Sequence, residues 1–255
     1  MGAAGRRLVA LVAPDEPYYR RDLALIHHLG FGFHADACAP GILHLLEPVL
    51  ERGGLVLELG CGSGLLTRYL LDAGHRVVAT DASPPMLDLA REAAAGANLR
   101  LLRLPDDALP DADAIVGVGH VLNYLPDVAA IERGLAAIGR ALRPDGVLAI
   151  DLCDLEWARE RADAPPRGWV GEDWALVTEF SVPAPDRFVR QMATFVREDD
   201  GSWRRGDERH DNVLMETGRV PALLAQVGVE ATVRASFGAE ELPAGLRALV
   251  GHRPG

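Results

Sequence analysis

The fold is decided by residues 57–64, LELGCGSG, which contain the end of a predicted buried strand at 55–59. The three glycines allow positive φ angles and let a ligand approach the backbone closely. Residues 65–73 continue with helical spacing, so the glycine loop lies at a helix N-terminus, which favours an anionic group. This strand, loop and helix are the first unit of a parallel α/β sheet.

Strands and helices alternate through the centre of the chain. Further apolar runs predict strands at 76–80, 99–104, 114–118 and 146–151, with helices at 84–95 and 128–142. This alternation predicts βαβ units. We therefore expect an α/β fold with a Rossmann-like, doubly wound, mostly parallel sheet that is covered on both faces.

The two flanking segments have different patterns. Between residues 23 and 51, apolar positions recur at helical spacing, and Pro40-Gly41 predicts a break between two short helices. After the fifth strand, short connections join three segments of strand character, which predict an inserted antiparallel element of three strands. These segments are 174–182, 188–197 and 209–215. A helix at 220–227 and one or two strands follow.

These patterns divide the 255 residues into three expected parts. They are an N-terminal helical cap at 1–52, a cofactor-binding domain at 53–160 and 216–255, and an inserted sheet at 161–215 that covers the substrate pocket. A hydrophobic content of 49% is enough for a substantial core.

Composition excludes several classes of function. The net charge is −11, and no run of basic residues could follow a phosphate backbone, which argues against nucleic acid. All 26 basic residues are arginine, so no lysine is available as a nucleophile or Schiff base. Three cysteines, far apart and without a CxxC pair, argue against disulfides and a zinc site. The lysine-free composition is typical of a GC-rich bacterial genome.

The expected location and partners follow from the same features. The apolar run at 8–12 is too short for a signal peptide or a membrane span. We expect a cytoplasmic protein, a monomer or homodimer, that acts on a small molecule and binds no nucleic acid, membrane or metal.

Asp81 ends the second predicted strand about 20 residues after Gly60, where a carboxylate can bind the hydroxyls of a ribose. Dinucleotide enzymes share this arrangement, but their fingerprint is GxGxxG. Here the loop is GxGxG, and Leu65 stands where the third glycine would be. The spacing therefore disfavours a dinucleotide.

Three motifs resemble those of class I S-adenosylmethionine-dependent methyltransferases. The glycine loop, with its acidic residue two positions before the first glycine, resembles the first motif. Residues 81–87, DASPPML, are similar to the second, and residues 143–148, RPDGVL, to the turn into the fifth strand. The resemblance implies S-adenosyl-L-methionine as cofactor, a ribose contact by the acid and an adenine contact by the methionine of the second motif. The implied cofactor residues are Glu58, Gly60, Cys61, Gly62, Gly64, Asp81, Ala82 and Met86.

A further family motif is imperfect. The family commonly has Gly-Asp ahead of Leu-Pro, with the acid or the next amide holding the adenine. Residues 104–110, LPDDALP, have proline in place of that glycine. The sequence leaves Asp106 and Asp107 as alternatives for the adenine contact, with Asp106 favoured, and either can be a plain turn carboxylate.

The acceptor side is expected after the fourth strand, because ligands meet the carboxyl ends of parallel strands. Residues 117–125, GVGHVLNYL, resemble the corresponding stretch of small-molecule methyltransferases. We expect His120 and Tyr124 to be catalytic, as a base or in orienting the acceptor, and Asn123 to bind substrate. A structural role for the histidine is the alternative.

Four more residues are candidates at the edges of the pocket. Tyr18 and Tyr19 precede the first helix, which in related methyltransferases closes over the cofactor; we expect Tyr19 to contact the cofactor and Tyr18 the substrate. Packing against the sheet edge is the alternative. Arg190 and His210 lie on the inserted strands, where they could bind substrate or be solvated on the outer face.

The expected function is transfer of a methyl group from S-adenosylmethionine to an O or N atom of a small molecule in bacterial secondary metabolism. The placement of the insert is similar to that in glycine- and aminosugar-type N-methyltransferases. Two alternatives remain: a non-catalytic S-adenosylmethionine-binding module and an NAD-dependent oxidoreductase.

Overall fold

The structure is a computed structural model that describes residues 18–255. The first part of the expected cap and the apolar run at 8–12 lie outside the described residues. The helices are α1 Arg21–Gly30, α2 Phe33–Leu45, α3 Glu47–Glu51, α4 Leu65–Asp72, α5 Pro84–Ala93, α6 Val128–Ala141, α7 Leu155–Arg159 and α8 Val220–Ala225. Two short 3₁₀ helices span Val121–Tyr124 and Thr217–Arg219.

The main sheet has the strand order β10-β11-β5-β4-β1-β2-β3 within the described residues. Its strands are β1 Leu55–Leu59, β2 Arg76–Asp81, β3 Asn98–Leu101, β4 Ala112–Gly117, β5 Leu142–Cys153, β10 Glu230–Arg234 and β11 Leu246–His252. Strands β1 to β5 pair in parallel, and β11 is antiparallel to both of its neighbours. The expected Rossmann-like, mostly parallel sheet is confirmed. Its order reverses between β1 and β4, which places a ligand crevice at their carboxyl ends.

Both faces of this sheet are buried, which explains why its strands are apolar at consecutive positions. On β1, Leu57 belongs to a cluster with α6 and α8, whereas Val56 belongs to a cluster with α2, α3 and α4. Neighbouring side chains of a strand point to opposite faces. The two clusters therefore fix the strand register and the positions of the strand ends.

The inserted sheet contains β6 Arg167–Val170, β7 Trp174–Ala184, β8 Arg187–Arg197 and β9 Trp203–Val213, in that order and antiparallel. The expected antiparallel insert is present, and β6 adds a fourth strand to the three predicted. β6 is short and exposed, with Val170 83% accessible, so it has no alternation of apolar residues that a sequence could show. β8 packs on α1, and β9 packs on the 3₁₀ helix Val121–Tyr124.

The predicted helix break at Pro40-Gly41 is wrong. α2 continues through both residues, and the chain instead bends at Phe31 and Gly32, between α1 and α2. Pro40 is exposed, and Gly41 lets α2 pack directly on the backbone of Phe237, which lies 2.9 Å from the position of a Cβ at residue 41. Tertiary packing therefore outweighs the helix-breaking tendency of these residues. No helix among residues 18–255 is long and apolar enough to cross a membrane.

Candidate cofactor and acceptor site

The glycine loop has the backbone conformation that its sequence requires. Gly60, Gly62 and Gly64 have φ angles of 62°, 54° and 82°, and Gly64 precedes α4. A Cβ on Gly60 would collide with the side chain of Val121, which follows β4. The loop after β1 and the segment after β4 are therefore in direct contact at the strand-order reversal.

Asp81 lies beside this loop at the end of β2. Its carboxylate accepts hydrogen bonds from Gly62 N at 2.9 Å and Ser83 N at 2.8 Å. Burial raises the pKa of Asp81, although these bonds lower it. Met86 is buried, and its sulfur lies 4.0 Å from the position of a Cβ on Gly62, while Ala82 is exposed. Three of the predicted cofactor residues, Gly62, Asp81 and Met86, therefore lie next to one another.

Glu58 is held beneath the loop. It is 2% exposed, and Thr67 Oγ1 donates a hydrogen bond to it at 2.6 Å. Burial raises the pKa of Glu58 to about 7. Cys61 is also buried, and its N–H donates to Thr80 O at 2.8 Å. These two residues support the loop from within the sheet, and their contact with a cofactor stays a prediction.

The segment after β4 is fixed by a carboxylate that the sequence analysis did not single out. Asp151, on β5, accepts hydrogen bonds from Gly119 N at 2.9 Å and His120 N at 2.6 Å. His34 Nε2 lies 2.8 Å from the same carboxylate. Burial lowers the pKa of His34, but the bond to Asp151 outweighs this and raises it to about 10. A protonated His34 and the Asp151 carboxylate thus stabilise the turn. The sequence signal for this role is an acidic residue near the end of a predicted strand.

His120 has a left-handed backbone, with φ 51°, and its Nδ1 is buried without a hydrogen-bond partner among residues 18–255. Its ring stacks with Tyr124, with centroids 5.4 Å apart, and lies 5.8 Å from Trp157. Burial, followed by the charge of Arg190, lowers the pKa of His120 to about 3. The imidazole is therefore neutral, and its free nitrogen is available to a ligand.

Four rings form an aromatic cluster next to His120: Tyr18, Tyr19, Tyr124 and His210. The centroids of Tyr18 and Tyr19 lie 4.7 and 4.8 Å from that of His210, and the two hydroxyls of Tyr19 and Tyr124 are 2.9 Å apart. The Arg190 guanidinium donates to the Tyr124 hydroxyl. The inserted sheet therefore turns Arg190 and His210 inward, and the outer-face alternative is wrong.

Glu208 connects the N-terminal segment to β9. Its carboxylate accepts hydrogen bonds from the N–H groups of Tyr19 and Arg20, the second at 3.1 Å, and lies 2.7 Å from His210 Nε2. On the other side, Ser83 Oγ donates to Tyr19 O at 2.7 Å. Residues 18–20 therefore bridge the N-terminus of α5 and the inserted sheet above the crevice.

Asn123 does not have the geometry of a substrate-binding residue. Its side chain is 0% exposed, and its amide nitrogen donates to Cys153 O at 3.2 Å and Val213 O at 2.6 Å. Its amide oxygen accepts from Cys153 N at 2.9 Å. The prediction that Asn123 binds substrate is therefore wrong, because both atoms of its side-chain amide are used in hydrogen bonds that join β5 to β9.

Asp106 and Asp107 are not brought together with the other predicted cofactor residues. Both are exposed and line a surface cavity of about 340 Å³ with Arg140 of α6. The Asp107 carboxylate accepts from Arg103 N at 2.7 Å and so closes its own turn. Leu102 N, just after β3, donates to Asp81 O at 3.0 Å. The adenine contact of either aspartate stays a prediction.

The residues present fit S-adenosylmethionine. Gly62 and Gly119 have positive φ angles; beside Gly119 there is open space, and beside Gly62 only the Met86 sulfur lies within 4.0 Å of a Cβ position, so the backbone can be approached at the crevice. Asp81 can accept from ribose hydroxyls, and His120 Nδ1 lacks a partner among the described residues. Among residues 18–255, no group of three potential ligands is placed to hold a metal ion.

The fold defines an α/β protein with a ligand crevice where the strand order of the main sheet reverses. Residues 56–146 match the family model described as "Methyltransferase domain". The resemblance to class I S-adenosylmethionine-dependent methyltransferases is thereby confirmed, and S-adenosyl-L-methionine is the cofactor of this domain.

Known proteins are similar to this chain in sequence or in fold. Malonyl-[acyl-carrier protein] O-methyltransferase of Pectobacterium atrosepticum is 35% identical over 130 residues, covering 48% of this chain and 51% of its own length. The chain spans about half the length of the curated relatives it matches first. The sugar N-methyltransferase KedS8 from Streptoalloteichus is 21% identical over the whole of both chains, with a TM-score of 0.75. CalS10, an amino pentose methyltransferase from Micromonospora echinaspora, is 20% identical over 94% of this chain and 99% of its own, with a TM-score of 0.69.

Proposed function

We propose that this protein transfers the methyl group of S-adenosylmethionine to an O or N atom of a small molecule. One observation carries the proposal: the glycine loop touches the segment that holds His120, since a Cβ on Gly60 would collide with Val121. A cofactor on that loop and an acceptor beside His120 are then neighbours. The fold neighbours named as sugar methyltransferases favour a role in bacterial secondary metabolism.

When bound, S-adenosylmethionine supplies an activated methyl group on a sulfonium. The chain's own residues bind and orient. Asp81 accepts hydrogen bonds from the ribose hydroxyls, and the bridge formed by residues 18–20 excludes water above the crevice. His120 and Tyr124 align the acceptor atom, and alignment alone can supply a large part of a rate enhancement.

Cofactor binding is the first test. We expect wild-type protein to bind S-adenosylhomocysteine in isothermal titration calorimetry, and Asp81→Asn to bind it at least about tenfold more weakly, because hydrogen bonds to a charged group contribute about 1.5–3 kcal/mol. Asp88→Asn is the matched control, since Asp88 is an exposed carboxylate on α5 that pairs with Arg91. Equal affinity in all three proteins would remove Asp81 from the site.

Methyl transfer is the second test, because it distinguishes a methyltransferase from a non-catalytic binding module and from an oxidoreductase. Protein incubated with methyl-labelled S-adenosylmethionine and a panel of small hydroxyl and amine compounds should release S-adenosylhomocysteine and label one compound class. Binding of the cofactor without transfer to any compound indicates a non-catalytic module. Stabilisation by NADH in place of S-adenosylhomocysteine indicates an oxidoreductase.

A further inference from the structure

Arg190 is a cation inside the candidate acceptor pocket whose charge has no partner of opposite sign. Its Nη2 donates to the Tyr124 hydroxyl and lies 3.3 Å from His210 Nδ1 and 3.5 Å from Asn212 Oδ1. Its Nε is buried and has no hydrogen-bond partner in the part of the chain that the structure describes. Among residues 18–255, no ion pair joins this guanidinium to a carboxylate.

The neighbouring groups do not supply a negative charge. Burial raises the pKa of the Tyr124 phenol well above its ordinary value, so the phenol stays neutral. Glu208 on β9 is two residues from His210, the residue paired with Arg190, and its carboxylate is already used by His210 and by the N–H groups of Tyr19 and Arg20. Asp211 pairs with Arg209 on the outer side of the strand. No carboxylate among the described residues is therefore paired with the positive charge of Arg190.

An uncompensated charge in a protein interior is strongly unfavourable, and one partner missing from a buried pair is far worse than an intact pair. A neutral side chain on β8 would avoid this cost. An arginine at this position is explained when an anion occupies the pocket in the working complex, since guanidinium pairs with carboxylate and phosphate through two parallel hydrogen bonds.

We propose that the methyl acceptor carries a carboxylate or phosphate group that Arg190 binds. Arg190 Cζ lies 5.9 Å from the Tyr124 ring centroid, and the His120 ring lies 5.4 Å from the same centroid. Arg190 and His120 thus contact the same phenol ring, so one small molecule can place its anionic group at the first and its acceptor atom at the second. The inference rests on the proposed function, and it narrows the acceptor to an anionic compound.

The charge of Arg190 also acts on the histidines around the site. The charge of Arg190 is among the causes that lower the pKa values of His27, His120 and His210, after burial. Bound anion would cancel part of that charge. His120 then becomes a better hydrogen-bond acceptor for a substrate proton when the anion is present than when it is absent.

The test measures anion binding apart from methyl transfer. Protein saturated with S-adenosylhomocysteine is titrated with acetate in one arm and with inorganic phosphate in the other, at constant ionic strength set with chloride, and the melting temperature is followed. We expect saturable stabilisation of the wild type by one of the two anions, which also distinguishes a carboxylate from a phosphate. Arg190→Gln should weaken that binding at least about tenfold.

Two further proteins make the result specific. Arg197→Gln is the matched control, because Arg197 is an exposed arginine on the same strand that pairs with Asp173, and its anion response should equal that of the wild type. Arg190→Lys keeps the charge and should keep part of the response. Stabilisation of the wild type by neither anion, or equally in Arg190→Gln, would overturn the proposal, and the wild-type result stands even if a variant does not fold.

The affinity of the same proteins for S-adenosylhomocysteine distinguishes a failure of this proposal from a failure of the proposed function. If Arg190→Gln loses affinity for S-adenosylhomocysteine itself, the cation belongs to the cofactor carboxylate and the proposal is overturned while the proposed function stands. If wild-type protein does not bind S-adenosylhomocysteine, the proposed function fails, whatever the anion response.

Discussion

At the scale of single residues, His120 combines a constrained backbone with an unused side-chain atom. Two backbone N–H bonds to Asp151 hold the left-handed turn, and the Tyr124 and Trp157 rings hold the imidazole. A pKa of about 3 makes it a weak base at neutral pH, so its main contribution is to accept or donate a hydrogen bond in a fixed direction. A positive φ also restricts the choice of variant.

We expect His120→Asn to lower the rate of methyl transfer by about ten- to a hundredfold, within or below the range of general acid–base effects. Asparagine tolerates a left-handed backbone, so the turn should persist. Affinity for S-adenosylhomocysteine should stay unchanged. Because the histidine is already neutral, the ratio of wild-type to variant kcat/KM should be constant between about pH 5.5 and 8. A ratio that rises with pH through this range would show that protonation of His120 limits the reaction.

At the scale of elements, the bridge of residues 18–20 is held from two sides. Glu208 on β9 binds two N–H groups of the bridge, and Ser83 at the start of α5 binds Tyr19 O. Tyr19 has a positive φ of 58°, which a free segment would not favour. The bridge therefore keeps its conformation through these bonds, and we expect it to open when a cofactor enters.

Limited proteolysis can follow this opening, because Arg20 and Arg21 provide trypsin sites at the bridge. Glu208→Gln offers one acceptor oxygen in place of two, so we expect cleavage there to be at least about tenfold faster, since bonds to a charged acceptor contribute about 1.5–3 kcal/mol each. S-Adenosylhomocysteine should slow cleavage of the wild type. Glu179→Gln, at an exposed position on β7, is the control. Equal cleavage rates in both variants would mean that Glu208 does not hold the bridge.

The elements also show what the sequence could and could not predict. The alternation of apolar runs is a local signal, and it predicted the mostly parallel sheet. The glycine loop and Asp81 are local signals too, and the structure places them in contact, with Gly62 N donating to the Asp81 carboxylate. Asn123 was misassigned because its partners, Cys153 and Val213, are 30 and 90 residues away. The inward orientation of Arg190 and His210 depends on the register of β8 with β9, since polar residues occur on both faces of these strands. Neither fact is visible before the strands are paired.

At the scale of the whole molecule, acid stability depends on buried histidines whose pKa values are lowered. His27, His120 and His210 have pKa values lowered to about 4, 3 and 4, chiefly by burial. An unfolded histidine titrates near pH 6.5. Between about pH 6.5 and 4 the unfolded chain therefore binds more protons at these sites, and the free energy of unfolding falls as the pH falls. Glu58 and Asp81, with raised pKa values, act in the opposite direction.

Burial also lowers the pKa of His75, so four histidine protons outnumber two carboxyl protons. We expect a net loss of stability on the order of 1 kcal/mol for each pH unit below about 6.5, since one proton corresponds to about 1.4 kcal/mol per unit. Urea unfolding at a series of pH values measures this slope. His27→Leu removes one of these histidine protons and keeps an apolar side chain between Tyr19 and Phe31, so it should make the slope shallower. His44→Gln, on the exposed side of α2, should leave it unchanged. If His27→Leu has the wild-type slope, the histidine is solvated in the folded protein, and the packing of α1 and the bridge above the crevice is looser than the structure shows.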